Sequence, residues 1–267
     1  MSNPWKRREV IGNATLYLGD CIEVLHGLRD GCQNVDVSVE QGGGADIALP
    51  TRIADAVITD PPYGIGFKYE SHIDDADAYP NLMRGWIGAV TADSFFVWQA
   101  IQTADKWHTW FPAGYRILAS CKNFTQYRPT EVQFGWDPII YWRTVKGDKA
   151  PAGVRDWHIA NTAAWITGEK WGHPCPRPID AVEWVCRLAG ESATSVLDPF
   201  MGSGTTGVAC MNLGRKFIGV EISEVYFDIA CRRIEDAQRQ EKLFPEEQKN
   251  ADVPRVQEQI FSDREAG

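Results

Sequence analysis

The stretch from Ala56 to Gly66, AVITDPPYGIG, sets an acid, two prolines and a tyrosine at the end of an apolar run. The Asp60 carboxylate and the Pro61 carbonyl are hydrogen-bond acceptors in a rigid turn. The exocyclic amine of adenine or cytosine is a weak nucleophile because its lone pair is delocalised into the ring. Two acceptors for its hydrogens would free that lone pair, and the Tyr63 ring offers a stacking face. We therefore predict Asp60, Pro61, Pro62 and Tyr63 as catalytic residues.

The same turn has a structural interpretation, in which Pro61 and Pro62 only end the strand and Tyr63 belongs to the core. Its position at the carboxyl end of a strand favours the catalytic interpretation, since open α/β sheets build their sites there. Asp60 is then an orienting acceptor and not a general base, because the amine loses its proton only after alkylation.

The stretch SVLDPFMGSGTTG, from Ser195 to Gly207, places a G-x-G-x-x-G pattern between a predicted strand and a helix. Glu221 ends the next strand 17 residues after Gly204, close to the ~20 that nucleotide-binding folds place before their ribose-binding acid. Asp198 lies four residues before Gly202, where it would repel a pyrophosphate but attract the sulfonium and ammonium groups of S-adenosylmethionine. The glycine turn therefore predicts S-adenosylmethionine as the cofactor.

Predicted strands and helices alternate along the chain, which indicates an α/β fold with a doubly wound, mostly parallel, Rossmann-like sheet. The predicted strands are ATLYLGD, AVIT, SFFVWQA, YRILASCKNF, PIIYWRT, TSVLDPF and RKFIGVE. The predicted helices are CIEVLHGL, YPNLMRGWIGAVTAD, TADKWHTWF, RPIDAVEWVCRLAG, GSGTTGVACMNLG and VYFDIACRRIEDAQRQEKL. Both acidic turns would lie at carboxyl ends of strands.

A chain of 267 residues fits one large α/β domain with a small insertion. We predict residues 1–142 as the catalytic half of this domain, with a loop insertion at 31–52. The predicted target recognition segment follows at 143–170, the cofactor-binding half at 171–243, and a flexible tail at 244–267.

DPPY followed by DPFMGSGTTG resembles the amino-methylating DNA methyltransferases, which methylate adenine N6 or cytosine N4. With a recognition segment between the motifs, the order resembles the circularly permuted β class, including orphan prophage-type adenine methyltransferases. The resemblance spans roughly Leu16 to Arg233. It implies a Rossmann-like sheet of the S-adenosylmethionine-dependent methyltransferase type. It also implies site-specific transfer to the N6 amine of a flipped adenine in double-stranded DNA, as in restriction-modification systems, by a bacterial or phage-encoded enzyme.

The resemblance also implies roles for individual residues around the cofactor. Asp20 would bind the cofactor adenine and Glu221 the ribose hydroxyls, while Arg177, in the lysine place of the family's H-P-T-Q-K-P, would pair with the methionine carboxylate. The remaining implied cofactor-binding residues are Asp60, Asp198, Phe200, Gly202, Ser203, Gly204, Thr205 and Thr206. Helix capping is an open alternative for Asp20, Thr205 and Thr206, and His173 is interpreted as a structural turn residue.

Access to a base in a duplex requires its rotation out of the stack. The predicted contacts around the gap are Phe67, Lys68 and Tyr69. In the recognition segment, Lys146 and Lys149 suit phosphates, whereas Arg155, His158 and Asn161 could reach base edges, with Arg143 as a further contact. A solvated charged loop is the alternative interpretation. So short a recognition segment covers few base pairs, which predicts a homodimer on a palindromic site.

Composition excludes several other classes of protein. No run of eighteen apolar residues and no secretion signal is present, which predicts a cytoplasmic protein without a membrane partner. The seven cysteines lack the spacing of a disulfide framework or zinc site, so no metal is expected. The net charge of −9 disfavours nucleic acid as a partner, unless the cations are segregated from acidic segments such as HIDDADAY.

Three alternatives remain beside the adenine N6 methyltransferase. Cytosine N4 methylation is the nearest, since Asp at the first position of DPPY favours adenine only through the family resemblance. A non-catalytic DNA-binding regulator that senses S-adenosylmethionine is a second, although such a protein would not need the amine-polarising turn. Methylation of RNA or protein through a related N-P-P-Y turn is a third, but those enzymes generally keep the unpermuted order.

Overall fold

The computed structural model describes residues 3–32, 52–66, 74–123, 134–146, 154–161 and 177–243. Its strands are β1 (Arg7–Ile11), β2 (Ala14–Leu18), β3 (Ala56–Thr59), β4 (Ser94–Trp98), β5 (Arg116–Lys122), β6 (Trp136–Arg143), β7 (Trp157–Ala160), β8 (Ser195–Asp198) and β9 (Lys216–Glu221). In the described part of the chain they form one sheet, in the order β1-β2-β9-β8-β3-β4-β6-β5-β7.

Helices cover both faces of this sheet, because its central strands are apolar on both sides. The helices are α1 (Cys21–Cys32), α2 (Tyr79–Ala89), α3 (Trp107–Trp110), α4 (Ile179–Leu188), α5 (Thr205–Asn212) and α6 (Glu224–Leu243), with a 3-10 helix at Ile101–Lys106. One buried cluster joins the sheet to α4, α5 and α6, and a second joins it to α1, α2 and α3. None of the described helices has both the length and the apolar character needed to cross a bilayer.

The centre of the sheet is parallel and sets up the functional edge. Strands β2, β9, β8, β3 and β4 pair in parallel, so their carboxyl ends meet along one edge. We call this line of strand ends the carboxyl edge. The predicted fold class, a doubly wound and mostly parallel Rossmann-like sheet, is confirmed.

The direction of β6 differs from that of the central strands. It pairs antiparallel with β4, so Ile139 lies opposite Trp98 and Arg143 lies opposite Ser94. The chain therefore passes the carboxyl edge at Ile139 and reaches the opposite edge at Arg143, four residues later and roughly 13 Å away. The first residues of the predicted recognition segment consequently start far from the carboxyl edge.

Two strands were not predicted from the sequence. β1 adds an antiparallel edge strand beside β2, and β7 pairs in parallel with β5, with Ala160 opposite Lys122. β7 lies inside the predicted recognition segment, so this part of that segment belongs to the main sheet. Its end at Ala160 brings the chain back to the carboxyl edge.

Candidate active site

A cavity of about 560 Å³ opens along the carboxyl edge, within the size range of small-molecule sites. Its lining includes Asp60 and Tyr63 from the turn after β3 and Asp198 from the end of β8. Asp20, after β2, and Glu221, at the end of β9, line it too. The two turns singled out in the sequence therefore face the same space.

Asp198 is 3% exposed and is held by three donors. The Thr59 hydroxyl donates to its Oδ1 atom at 2.6 Å and the Thr206 hydroxyl to its Oδ2 atom at 2.7 Å, while the Phe200 amide donates to Oδ1 at 3.1 Å. Burial raises the pKa of Asp198 to about 6, although these three donors favour the ionised form. A buried carboxylate without a counter-ion is disfavoured, so a cation in the cavity would stabilise it.

Glu221 is 8% exposed and is held in a similar way. The Gly202 amide donates to Oε2 at 2.9 Å and the Ser223 amide to Oε1 at 2.8 Å. Burial raises the pKa of Glu221 to about 7. Through Glu221, the end of β9 is connected directly to the glycine turn after β8.

Asp20 both caps a helix and lines the cavity, which are the two roles considered for it from the sequence. Its Oδ1 atom accepts hydrogen bonds from the amides of Ile22 at 2.9 Å and Glu23 at 3.1 Å, which caps α1. The residue is half-buried and also lines the cavity. Capping fixes one carboxylate oxygen and leaves Oδ2 available for a ligand.

The glycine turn approaches α6 too closely for side chains. Gly204 has a φ of +82°, and a Cβ atom there would lie 2.8 Å from the Cβ atom of Ala230. A Cβ atom on Gly207 would lie 2.4 Å from Cδ1 of Ile234. The turn therefore needs glycine for both its conformation and its packing.

The residues next to these glycines hold the turn in place. Arg233 donates to the Ser203 carbonyl at 2.7 Å and to the Ser203 and Thr205 hydroxyls at 2.9 and 3.2 Å. Neither Thr205 nor Thr206 caps α5, since Gly204 is its N-cap and makes no side-chain capping bond. The hydroxyls of both threonines are instead bonded within the site.

The composition of this part of the cavity fits S-adenosylmethionine. Three carboxylates, those of Asp20, Asp198 and Glu221, lie at the ends of three neighbouring strands. Among the described residues, no Lys or Arg forms an ion pair with any of them. Two of the three have pKa values raised by burial. Such a site favours a ligand that carries positive charge and hydroxyl groups and has no phosphate.

Asp74 holds the DPPY turn, and sequence reasoning missed it. Its carboxylate accepts hydrogen bonds from three consecutive backbone amides, those of Tyr63 at 3.0 Å, Gly64 at 2.7 Å and Ile65 at 3.0 Å. Asp74 is 4% exposed. Gly64 has a φ of +67°, and a Cβ atom there would meet the Tyr79 side chain at 2.8 Å. The rigidity of the turn therefore comes from this buried acid as well as from the two prolines.

Asp60 and Tyr63 belong to a charged network with Arg177. Arg177 Nε donates to Asp60 Oδ2 at 2.7 Å and Arg177 Nη2 to Asp60 Oδ1 at 3.1 Å. The Tyr63 hydroxyl donates to Asp60 Oδ1 and accepts from Arg177 Nη2. Burial raises the pKa of Tyr63 well above its usual value, so its phenol stays protonated. The structure thus places Arg177 against Asp60.

Asp137 and Lys122 extend this network along β6 and β5. Arg177 Nη1 donates to Asp137 Oδ2 at 2.7 Å, and Lys122 Nζ lies 3.0 Å from Asp137 Oδ1. Burial raises the pKa of Asp137, but the charges of Arg177 and Lys122 outweigh it and the net shift is downward. For Arg177, burial alone would lower the pKa, but Asp60, Tyr63 and Asp137 raise it well above its usual value. Both members of the Asp137–Arg177 pair are therefore ionised at neutral pH.

The predicted DNA contacts are scattered. Phe67, Lys68, Tyr69 and Lys149 lie outside the described residues, as does His173. Arg143 lies at the edge opposite the cavity, where it donates to the Tyr141 hydroxyl at 2.7 Å and to the Ala189 carbonyl at 3.0 Å. Lys146 is exposed beyond it. These two residues are not brought to the cavity.

The predicted contacts around β7 lie closer to the carboxyl edge. The guanidinium of Arg155 lies 5.0 Å from the centre of the Trp157 ring. His158 Nε2 is 3.1 Å from Asp180 Oδ2, and the backbone amide of Asn161 donates to the same oxygen at 2.7 Å. Asn161 directly follows the end of β7, which makes it the member of this group placed at the carboxyl edge.

The cavity also has apolar side chains that sequence reasoning missed. Ile65 is 48% exposed, Phe134 is 42% exposed and Trp136 is 40% exposed, and all three line the cavity. Exposed apolar side chains around a cavity are typical of a surface that receives a partner. Trp136 begins β6, whose antiparallel direction the sequence did not indicate, and Phe134 lies two residues before it.

Comparisons with known proteins agree with this geometry. Residues 122–232 match the N6_N4_Mtase family model, described as DNA methylase. The type II methyltransferase M.ScaI of Streptomyces caespitosus is 25% identical over 252 residues, covering 75% of this chain and 82% of that protein. The crystal structure of the M1.HpyAVI–SAM complex matches with a TM-score of 0.59 at 21% identity, covering 83% of this chain and 98% of that one.

A second solved structure shows the same fold. The PvuII DNA methyltransferase, described as cytosine-N4-specific, matches with a TM-score of 0.60 at 16% identity, covering 88% of this chain and 95% of that one. The fold is the Rossmann-like fold of S-adenosylmethionine-dependent methyltransferases, and together with the family match it confirms the predicted cofactor. Over residues 122–232 the chain is similar to the DNA methylases of the N6/N4 family, and over most of its length it is similar to a type II methyltransferase.

Proposed function

We propose that this enzyme transfers a methyl group to the N6 amine of an adenine rotated out of double-stranded DNA. One observation carries the proposal: the amine-polarising turn with Asp60 and Tyr63 and the acidic glycine turn with Asp198 face one cavity. A base bound at the first turn therefore lies next to a donor bound at the second. Asp at the first position of DPPY supports adenine over cytosine N4 through the family resemblance.

In this proposal, the DPPY turn activates the amine. One amine hydrogen is donated to Asp60 and the other to the Pro61 carbonyl, which draws the nitrogen towards a tetrahedral geometry. The Tyr63 ring stacks on the base, while its hydroxyl is held by Asp60 and Arg177. The Asp74 carboxylate fixes the amides of Tyr63, Gly64 and Ile65 and so keeps the ring and the acceptors in register.

The glycine turn holds the cofactor in this proposal. S-adenosylmethionine supplies an electrophilic methyl group on a sulfonium. Asp198 provides negative charge for the cationic part of the cofactor, Glu221 accepts from the ribose hydroxyls, and Asp20 accepts from the adenine amine. The proposed cofactor contacts of this turn are Phe200, Gly202, Ser203, Thr205 and Thr206, which line the cavity, while Gly204 shapes the turn between them.

DNA would enter through the apolar mouth of the cavity. Ile65, Phe134 and Trp136 are exposed there and can contact the flipped base or the neighbouring bases. Among the predicted contacts, the position of Asn161 at the carboxyl edge favours a role near the base, whereas the position of Arg143 argues against one. Homodimer formation and the predicted division into catalytic, recognition and cofactor-binding segments belong to the same proposal.

The test of this function is methyl transfer to DNA. Purified protein is incubated with labelled S-adenosylmethionine and unmodified genomic DNA, and the DNA is then digested to nucleosides. We expect labelled N6-methyladenine, and single-molecule sequencing of the product then gives the site. Labelled N4-methylcytosine alone would favour the cytosine enzyme, and cofactor binding without transfer would favour a regulator.

Cofactor binding should weaken as the pH falls. A bound cation favours the ionised forms of Asp198 and Glu221, whose pKa values are about 6 and about 7. Protons therefore leave these groups on binding, and protonation of Glu221 alone should raise the Kd about tenfold between pH 8 and pH 6. Isothermal titration in two buffers of different ionisation enthalpy measures both the Kd and the protons released. A Kd independent of pH over this range would contradict the assignment.

A further inference from the structure

The ion pair between Asp137 and Arg177 lies beside the DPPY turn, and neither motif of the sequence includes Asp137. We propose that Asp137 and Arg177 are positioning residues for methyl transfer: they fix the Asp60 carboxylate so that one acceptor position remains for the target amine. This inference rests on the proposed function. It also assigns Arg177 to the acceptor turn, and no longer to the methionine carboxylate of the cofactor.

The hydrogen bonds of Asp60 show how the position is left free. A carboxylate has about four acceptor positions, two on each oxygen. The Tyr63 hydroxyl and Arg177 Nη2 take both positions of Oδ1, and Arg177 Nε takes one position of Oδ2. Oδ2 therefore keeps one position, which the amine hydrogen of the target base can use without displacing Arg177.

The donors of Arg177 explain why its partner is not the cofactor. A guanidinium has five N–H donors. Nε donates to Asp60, Nη1 to Asp137, and Nη2 to both Asp60 and the Tyr63 hydroxyl. Four of the five donors are thus engaged by the protein, so a bidentate contact with another carboxylate would require breaking bonds to Asp60 or Asp137.

Asp137 restricts the rotation of the guanidinium. Its Oδ2 atom accepts from Arg177 at 2.7 Å, while Lys122 lies 3.0 Å from its other oxygen. The Arg177 side chain is 20% exposed and that of Asp137 is 28% exposed, so solvent only partly screens the pair. Asp137 is on β6, and Arg177 connects it to Asp60 in the turn after β3. The antiparallel strand therefore helps to orient the Asp60 carboxylate.

The test compares Asp137→Asn, Arg177→Gln and the double variant with the full-length wild-type protein. Asp228→Asn is the matched control, because Asp228 accepts from Arg7 at the same 2.7 Å on a different part of the protein. Three quantities are measured: the Kd of S-adenosylmethionine, the single-turnover rate on a duplex that carries the unmodified target site, and the fluorescence of a second duplex with 2-aminopurine at the target position, which reports base flipping.

We expect Arg177→Gln to lower the single-turnover rate about a hundredfold and Asp137→Asn about tenfold, in the range for loss of a positioning contact. The Kd and the fluorescence change should stay within about threefold of wild type. The double variant should be no slower than Arg177→Gln, because Asp137 acts through Arg177. Arg177→Lys should recover only part of the rate, since an ammonium cannot bridge both oxygens of Asp60. Asp228→Asn should leave the rate unchanged.

Two outcomes would overturn the inference. A tenfold or larger rise in the Kd of Arg177→Gln, with Asp137→Asn unchanged in every measurement, would identify Arg177 as the partner of the cofactor carboxylate. Additive rate losses in the double variant would show that Asp137 does not act through Arg177. Failure of the proposed function is distinguishable, because the wild-type protein would then give no labelled N6-methyladenine, whatever the variants do.

Discussion

Asp60→Asn is expected to lower the single-turnover methyl-transfer rate about a thousandfold, while the Kd of S-adenosylmethionine stays within about threefold. Asparagine keeps the shape of the side chain, but it replaces one acceptor oxygen with an NH2 group. Arg177 donates to both carboxylate oxygens, so whichever position carries the NH2 group faces a donor. The variant therefore loses both its best acceptor for the amine and the fixed orientation of the side chain.

The measurements for this prediction are single-turnover transfer and equilibrium binding of the cofactor. Asp75→Asn is a suitable control, because Asp75 is an exposed acid directly after Asp74 and its side chain accepts from the nearby Asp77 amide. It should transfer at the wild-type rate. If Asp60→Asn weakened cofactor binding as much as it slowed transfer, Asp60 would belong to the cofactor site and not to the acceptor turn.

The sequence predicted the parts of the fold that have strong local patterns. The apolar strand that ends at Thr59, the strand that ends at Asp198 and the helix that follows Gly204 each combine a hydrophobic period with a turn motif. Such segments are determined by their own residues, so their positions could be predicted without knowledge of their partners. The meeting of their carboxyl ends then followed from the parallel arrangement.

Other features depend on contacts between distant residues and could not be predicted in this way. The hydrophobic period of β6 is the same whichever way the strand runs. The sequence therefore did not indicate that Arg143 would lie at the edge of the sheet away from the cavity. Asp137 becomes significant only because Arg177, forty residues later, donates to it. Asp74 stood out only as one member of an acidic loop until its three amide partners were seen.

Asp198→Asn is the second change with a large expected effect, and it should separate cofactor binding from stability. The Oδ1 atom of asparagine can accept from Thr59 and Phe200 as the carboxylate does, and its NH2 group can donate to the Thr206 hydroxyl. The hydrogen bonds are therefore retained, while the negative charge is lost. We expect the Kd of S-adenosylmethionine to rise about a hundredfold, as for loss of one partner of a buried charge contact.

Although Asp198→Asn should weaken cofactor binding, it should raise the thermal stability of the cofactor-free protein or leave it unchanged. The folded-state pKa of Asp198 is about 6, against a usual value of 3.8, so the folded protein binds more protons than the unfolded chain between these values and loses stability as the pH rises through them. At pH 8 this difference corresponds to a penalty of at most about 3 kcal/mol, which asparagine removes. Without cofactor at pH 8, the Tm of Asp198→Asn should thus equal or exceed that of the wild-type protein, and the difference should vanish near pH 4.

Asp236→Asn removes an exposed carboxylate on α6 and controls for the change in net charge. A lower Tm at pH 8 for Asp198→Asn alone would show that the Asp198 carboxylate stabilises the cofactor-free fold.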